Sequence, residues 1–221
     1  MGNYDLGLIW PFILKKSDDI LELVIEHIAV VSISVLIAMV VGVGVGLLVW
    51  DRPIWRSGAI ATAGVILTIP SMALLALMIP VLGLGWVPTV TGLALYSLLP
   101  IVRNTIVGLR EVSPAVIESA TGMGMSKFRV LMTVQFPIAW PIILTGLRVA
   151  TQLAVGIAAI AAYVAGPGMG AWIFKGLSML GAKNALNYAL VGTVTIVLIA
   201  LLFDAIFILI NRLTTSRGIR V

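Results

Sequence analysis

Of 221 residues, 61% are apolar and only 10% charged, with a formal net charge of +5; soluble domains run at about 45–50% and about 25%. That composition excludes a water-soluble globule. With no cysteine and a single histidine, His27, the chain offers no disulfide, no thiol catalysis and no expected metal site.

Residues 1–20 read as an external or interfacial segment. They lack the basic stretch of a cleavable leader, so the first long apolar run is expected to be retained. Asp18 to His27 forms a partly amphipathic lead, with His27 placed at the outer interface and given no specific role. Ile28 to Trp50 carries no charge and exceeds the ~20 residues needed to cross a hydrocarbon core of about 30 Å. It is the first expected span, and its Gly42, Gly44 and Gly46 favour close helix packing in lipid.

Ser57 to Val102 is also uncharged but too long for one crossing, and Gly83 to Pro88 divides it. The second span is expected at about Gly58 to Leu82, bent at Pro70, with Thr68, Pro70 and Ser71 as candidates for lining a pathway. The third runs from about Val87 to Val102. Pro141 to Ala165 gives the fourth, with Gln152 as a further pathway candidate, and Ala185 to Asn211 gives the fifth. Between these two, Gly166 to Asn184 holds a short helix candidate, Ala171 to Leu180.

Five spans put the termini on opposite sides, and the excess of Lys and Arg marks the inner one. With the N-terminus outside, the inner segments hold Arg52, Arg56, Arg103, Arg110, Lys127, Arg129, Arg212, Arg217 and Arg220; the outer ones hold Lys15, Lys16, Lys175 and Lys183. All six tryptophans flank expected spans, as interfacial belts do. The positive charge therefore reads as topology, and no nucleic-acid partner is expected. The fold class is an all-α integral membrane protein with five transmembrane helices, the N-terminus outside and the C-terminal tail, 212–221, inside.

Two charges fall inside the spans, Arg148 and Asp204. Each lies roughly 10–12 Å from the inner boundary, and intramembrane charges favour partners. The pair is expected to join the fourth and fifth spans.

The segment 103–140 is larger than a connection needs. Ser113-Pro114 starts a helix to Thr121, Gly122 and Gly124 end it, and Ser126 caps a second from Lys127 to Gln135 before Pro137. The result is a two-helix knob on the inner face. Its Glu118-Ser119-Ala120, then Gly124, then Val134-Gln135-Phe136-Pro137 resembles the E-A-A-x3-G-x9-I-x-L-P signature of ABC-importer permease subunits, with Ser, Val and Phe replacing Ala, Ile and Leu. Thr68 to Leu74, Leu99 to Thr105 and Gly122 to Ser126 are similar to permeases for glycine betaine, carnitine, choline and related osmoprotectants, and the resemblance covers about residues 20–211.

That resemblance implies a type I, binding-protein-dependent importer of the bacterial cytoplasmic membrane, with residues 21–211 as the transmembrane domain. Glu118, Ser119, Ala120, Gly122, Gly124 and Pro137 would dock in a groove of a partner ATPase. It implies two ATP-binding subunits using ATP and Mg, an external substrate-binding protein, a second permease copy or paralogue, and surrounding membrane lipid. No catalytic residue and no bound cofactor are expected in this chain, which lacks a phosphate-binding loop. Alternatives are an importer of the same type for an amino acid or related solute, or an ion-coupled secondary transporter.

Overall fold

A computed structural model describes residues 9–215, and these are helical throughout their regular elements. Arg217, Arg220, most of the 212–221 tail and residues 1–8 of the 1–20 segment lie outside the described residues. In chain order the elements are α1 (Ile9–Lys15), α2 (Ser17–Val49), α3 (Pro53–Thr68), α4 (Ser71–Leu82), α5 (Trp86–Arg110), α6 (Pro114–Gly122), α7 (Lys127–Val130), a π-helical turn (Leu131–Gln135), α8 (Phe136–Ala161), a 3-10 turn (Ala162–Val164), α9 (Gly170–Ser178) and α10 (Ala185–Thr214).

Four stretches are long and apolar enough to cross a membrane: Ser17–Val49, Trp86–Arg110, Lys127–Val164 and Ala185–Thr214. The expected second span differs. Instead of one bent helix over Gly58 to Leu82, α3 and α4 are separated by Ile69-Pro70 and turn through 94°. Proline disfavours helical geometry at the residue before it, and Pro70 itself is extended, at φ −56° and ψ 134°. Counted as one broken span, the pair brings the total to five.

Two other boundaries move. α5 continues eight residues beyond Val102, so Arg103 to Arg110 is helix and not part of a separate loop. The second knob helix does not end before Pro137: the π-turn carries it into α8, with the Phe136 N–H bonded to the Leu131 carbonyl five residues back. Pro137 has no N–H to place in the ladder, and the wider turn before it passes the helix through unbroken.

The chain divides into two compact units. One comprises residues to Val35, Ile69–Ala94 and Thr151–Phe203. Its core contains Val30, Val31, Leu93, Val155, Met169 and Trp172, and Phe12, Trp172 and Tyr188 meet edge to face at 4.9–5.6 Å. The 3-10 turn closes with Ala165 in the left-handed region, φ 56°, and the Gly166 N–H returns to the Ala161 carbonyl, a hydrogen-bonded helix stop.

The other unit comprises Leu36–Thr68, Leu95–Ala150 and the remainder from Asp204. Ile101, Ile106, Leu109, Ala139 and Ile143 are fully or almost fully buried in it. Here α2 approaches α5 closely: a Cβ at Gly42 would lie 2.8 Å from Ile101 Cγ2, and one at Gly46 2.5 Å from Thr105 Cγ2, while Gly44 faces open space. Gly46→Val is therefore expected to cost about 1–3 kcal/mol through overpacking, and Gly44→Ala to be neutral or slightly stabilising. Thermal unfolding of the purified variants in detergent checks both.

Candidate functional site

The knob is α6, the turn 123–126 and α7. Pro114 occupies the first turn of α6, where its missing N–H costs nothing. Gly124 explains how α6 stops: at φ +86° it lets its own N–H reach the Thr121 carbonyl and the Met125 N–H reach Ala120. That pair of hydrogen bonds is a Schellman stop, which wants glycine at this place. Ser126 then caps α7 by accepting from the Arg129 N–H at 3.4 Å.

Within this frame Ala120 is buried and Ser119 bonds the Ala115 carbonyl at 2.8 Å. Glu118 stands exposed on α6. Gly122 has open space around it and Pro137 is exposed in the first turn of α8. Val116, Met123, Phe128 and Met132 add an exposed apolar surface to the same segment. Such a patch around a charged group is the composition of a protein-docking face.

The structure brings Arg148 and Asp204 together. Nε donates to Oδ1 at 2.5 Å and Nη2 to Oδ2 at 2.7 Å, the two-pronged arrangement that a planar guanidinium makes with a carboxylate. Their side chains keep 43% and 22% of their surface exposed, beside a cleft lined by Thr145, Asn211 and Arg212. A charge pair on the surface of an apolar bundle belongs against another protein or an aqueous cavity and not against lipid.

Thr68 is exposed at the end of α3 and bonds the Val65 carbonyl at 2.7 Å, Pro70 forms the break, and Ser71 begins α4. Gln152 is exposed on α8.

His27 corrects the sequence reading. It has a specific structural role: it is fully buried within the protein, and its Nε2–H donates to the Val155 carbonyl at 3.2 Å. Next to it, Glu26 accepts the Gly168 N–H at 3.1 Å, and Gly168, at φ +103°, lies so close that a Cβ would meet His27 Nδ1 at 2.8 Å. Glu26 therefore tethers the turn that precedes α9, while His27 ties α2 to α8 and packs against that turn. An acidic and an aromatic polar residue at the head of an apolar run was the available signal; burial of that side of the helix was not.

Among the described residues no group of His, Asp and Glu could hold a metal. The profile of the binding-protein-dependent transport system inner membrane component family matches residues 38–216. Over its length the chain is 32% identical to the glycine betaine/carnitine/choline transport system permease protein OpuCB of Bacillus subtilis (strain 168), covering 97% of each chain. It is 33% identical to the osmoprotectant import permease protein OsmW of Salmonella typhimurium, covering 95% of this chain and 98% of that one. In fold it is similar to a chain of the MetNI methionine ABC transporter in an inward-facing conformation, at a TM-score of 0.78 and 23% identity over 89% of this chain and 96% of that one. An amino acid ABC transporter chain gives 0.73 and 18%, over 90% and 96%.

Proposed function

Because the chain belongs to the binding-protein-dependent transport system inner membrane component family, we propose that it forms the translocation pathway for a small quaternary-amine osmoprotectant such as glycine betaine, carnitine or choline. It is the permease subunit of an ABC importer and performs no bond chemistry; a separate subunit hydrolyses ATP. Family membership displaces the ion-coupled alternative. The substrate class is supported by one observation, similarity to osmoprotectant permeases along nearly the whole chain. The structural likeness to methionine and amino acid importers speaks for the fold alone.

In this reading the termini lie N-out and C-in, in a bacterial cytoplasmic membrane, and a second copy or a paralogue completes the pathway. Two ATPases, loaded with ATP and Mg, receive the two knobs through Glu118 and the exposed apolar residues around it. The Schellman stop at Gly124 supports this, since it makes α6 a stiff projection instead of a fraying end. Thr68, Pro70, Ser71 and Gln152 face the solute, and an external binding protein delivers it. The Arg148–Asp204 pair fixes the register of α8 against α10.

The test is ATP hydrolysis by the reconstituted importer with its binding protein. Glycine betaine, carnitine or choline is expected to raise turnover several-fold above the solute-free rate. Stimulation by an amino acid and by none of these amines would replace the substrate class while leaving the importer intact.

A further inference from the structure

We propose that a pocket between the end of α2 and the knob is a binding site for one anionic phospholipid; its placement in the inner leaflet rests on the orientation proposed above. The pocket has a volume of ≈ 530 Å³. Leu47, Trp50, Asp51 and Arg52 form one wall, and Thr121, Lys127, Phe128 and Gln135 line the other.

Three independent features define the ligand. Arg52 and Lys127 outnumber Asp51, the one carboxylate in the lining, so the mouth is net cationic; basic pockets beside transmembrane helices are suited to anionic lipid headgroups. Gln135, contributed by the π-turn, is 3% exposed and its amide Nε2 has no hydrogen-bond partner. Buried amides are rarely left so, and a phosphate or ester oxygen is the acceptor it lacks. Finally, the α2 side of the rim is apolar: Leu48 is 74% exposed, and Val40 and Val41 are further exposed apolar residues along the same helix. A free phosphate would satisfy the cations and leave this surface bare. A phospholipid covers both, with its headgroup in the pocket and its chains along α2.

Trp50 in the pocket wall supplies the readout. The complete transporter is placed in vesicles containing brominated phosphatidylglycerol or brominated phosphatidylcholine, and quenching is compared with that of Trp50→Phe to isolate the Trp50 signal. The anionic lipid is expected to quench it at several-fold lower mole fraction. Arg52→Gln and Lys127→Gln should each reduce that preference roughly fivefold, Gln135→Leu should weaken it, and the charge-retaining Arg52→Lys and Lys127→Arg should preserve it and report folding.

Equal quenching by the two lipids overturns the proposal, as does a preference unchanged in the Arg52→Gln/Lys127→Gln double variant. Competition by millimolar inorganic phosphate would assign the site to a soluble anion, and a preference seen only after the ATPase is stripped off would assign it to that subunit. Orientation is read separately. The chain has no native cysteine, so Ser126→Cys labelled by an impermeant maleimide in right-side-out or inside-out vesicles reports which side the knob occupies. Labelling from outside would overturn the orientation while leaving the lipid preference standing.

Discussion

Asp204→Ala is expected to destabilise the permease, by on the order of 3 kcal/mol where another protein chain covers this face, because it leaves the part-exposed Arg148 guanidinium without its carboxylate. Arg148→Ala should cost comparably by removing the guanidinium that Asp204 binds with both oxygens. Removing both charges, as Arg148→Met with Asp204→Leu, should restore most of the loss, since an apolar pair of similar volume has no desolvation to offset. The charge swap Arg148→Asp with Asp204→Arg should recover part of it, and thermal inactivation in detergent ranks all four. The full cost applies where protein covers this face; against water the pair is worth about 1 kcal/mol or less. Comparing the losses in detergent, in vesicles and at high salt thus also reports what covers it, and a swap that recovers nothing would count against a direct electrostatic role.

Glu118→Ala is expected to leave insertion and fold intact and to break the link between ATP hydrolysis and uptake. The side chain is exposed midway along a helix whose end is closed independently of it. Loss of a docking residue of this kind removes on the order of 2 kcal/mol from an interface, roughly 30-fold in affinity. Uptake should fall accordingly, with basal ATPase activity retained at saturating ATPase subunit. Gly124→Val tests the same interface through shape: a β-branched residue at φ +86° is strained by about 1–3 kcal/mol, so the turn re-forms differently and the knob tip is displaced. Normal uptake by Glu118→Ala would remove the carboxylate from the docking role, and normal uptake by both would remove the knob.

What the sequence revealed and what it hid follow from the physics of each element. The long apolar runs were legible because the hydrocarbon length imposes a lower bound on them, and Arg148 and Asp204 stood out because charge is rare there. The stop at Gly124 was legible because the left-handed position admits few residues. The 94° turn at Pro70 was underestimated: proline predicts a bend, but whether the helix resumes in line depends on which neighbours bond the freed carbonyls. Similarly, the π-turn before Pro137 has no residue signature, since any side chain tolerates it and only the hydrogen-bond ladder reveals it. The burial of His27 was hidden because polarity at a helix head reads as exposure, whereas its Nε2–H is bonded to the Val155 carbonyl in the core.

The tether formed by Glu26 and His27 has a bearing on how such a permease can diversify. Both side chains grip backbone groups, an N–H at Gly168 and a C=O at Val155, so they recognise the path of the chain and not its composition. Gly168 is constrained in identity by the lack of room for a Cβ, as are Gly170 and Gly176 in α9, where a Cβ would overlap the Ala159 carbonyl oxygen and meet the Ala185 carbonyl oxygen at 2.6 Å, respectively. The exposed positions after it, Ala171 and residues 177–184, are free to be rewritten without loosening the anchor. A graft exchanging those positions between permeases should therefore transplant surface specificity as a cassette, provided Gly168, Met169, Gly170, Trp172 and Gly176 are kept.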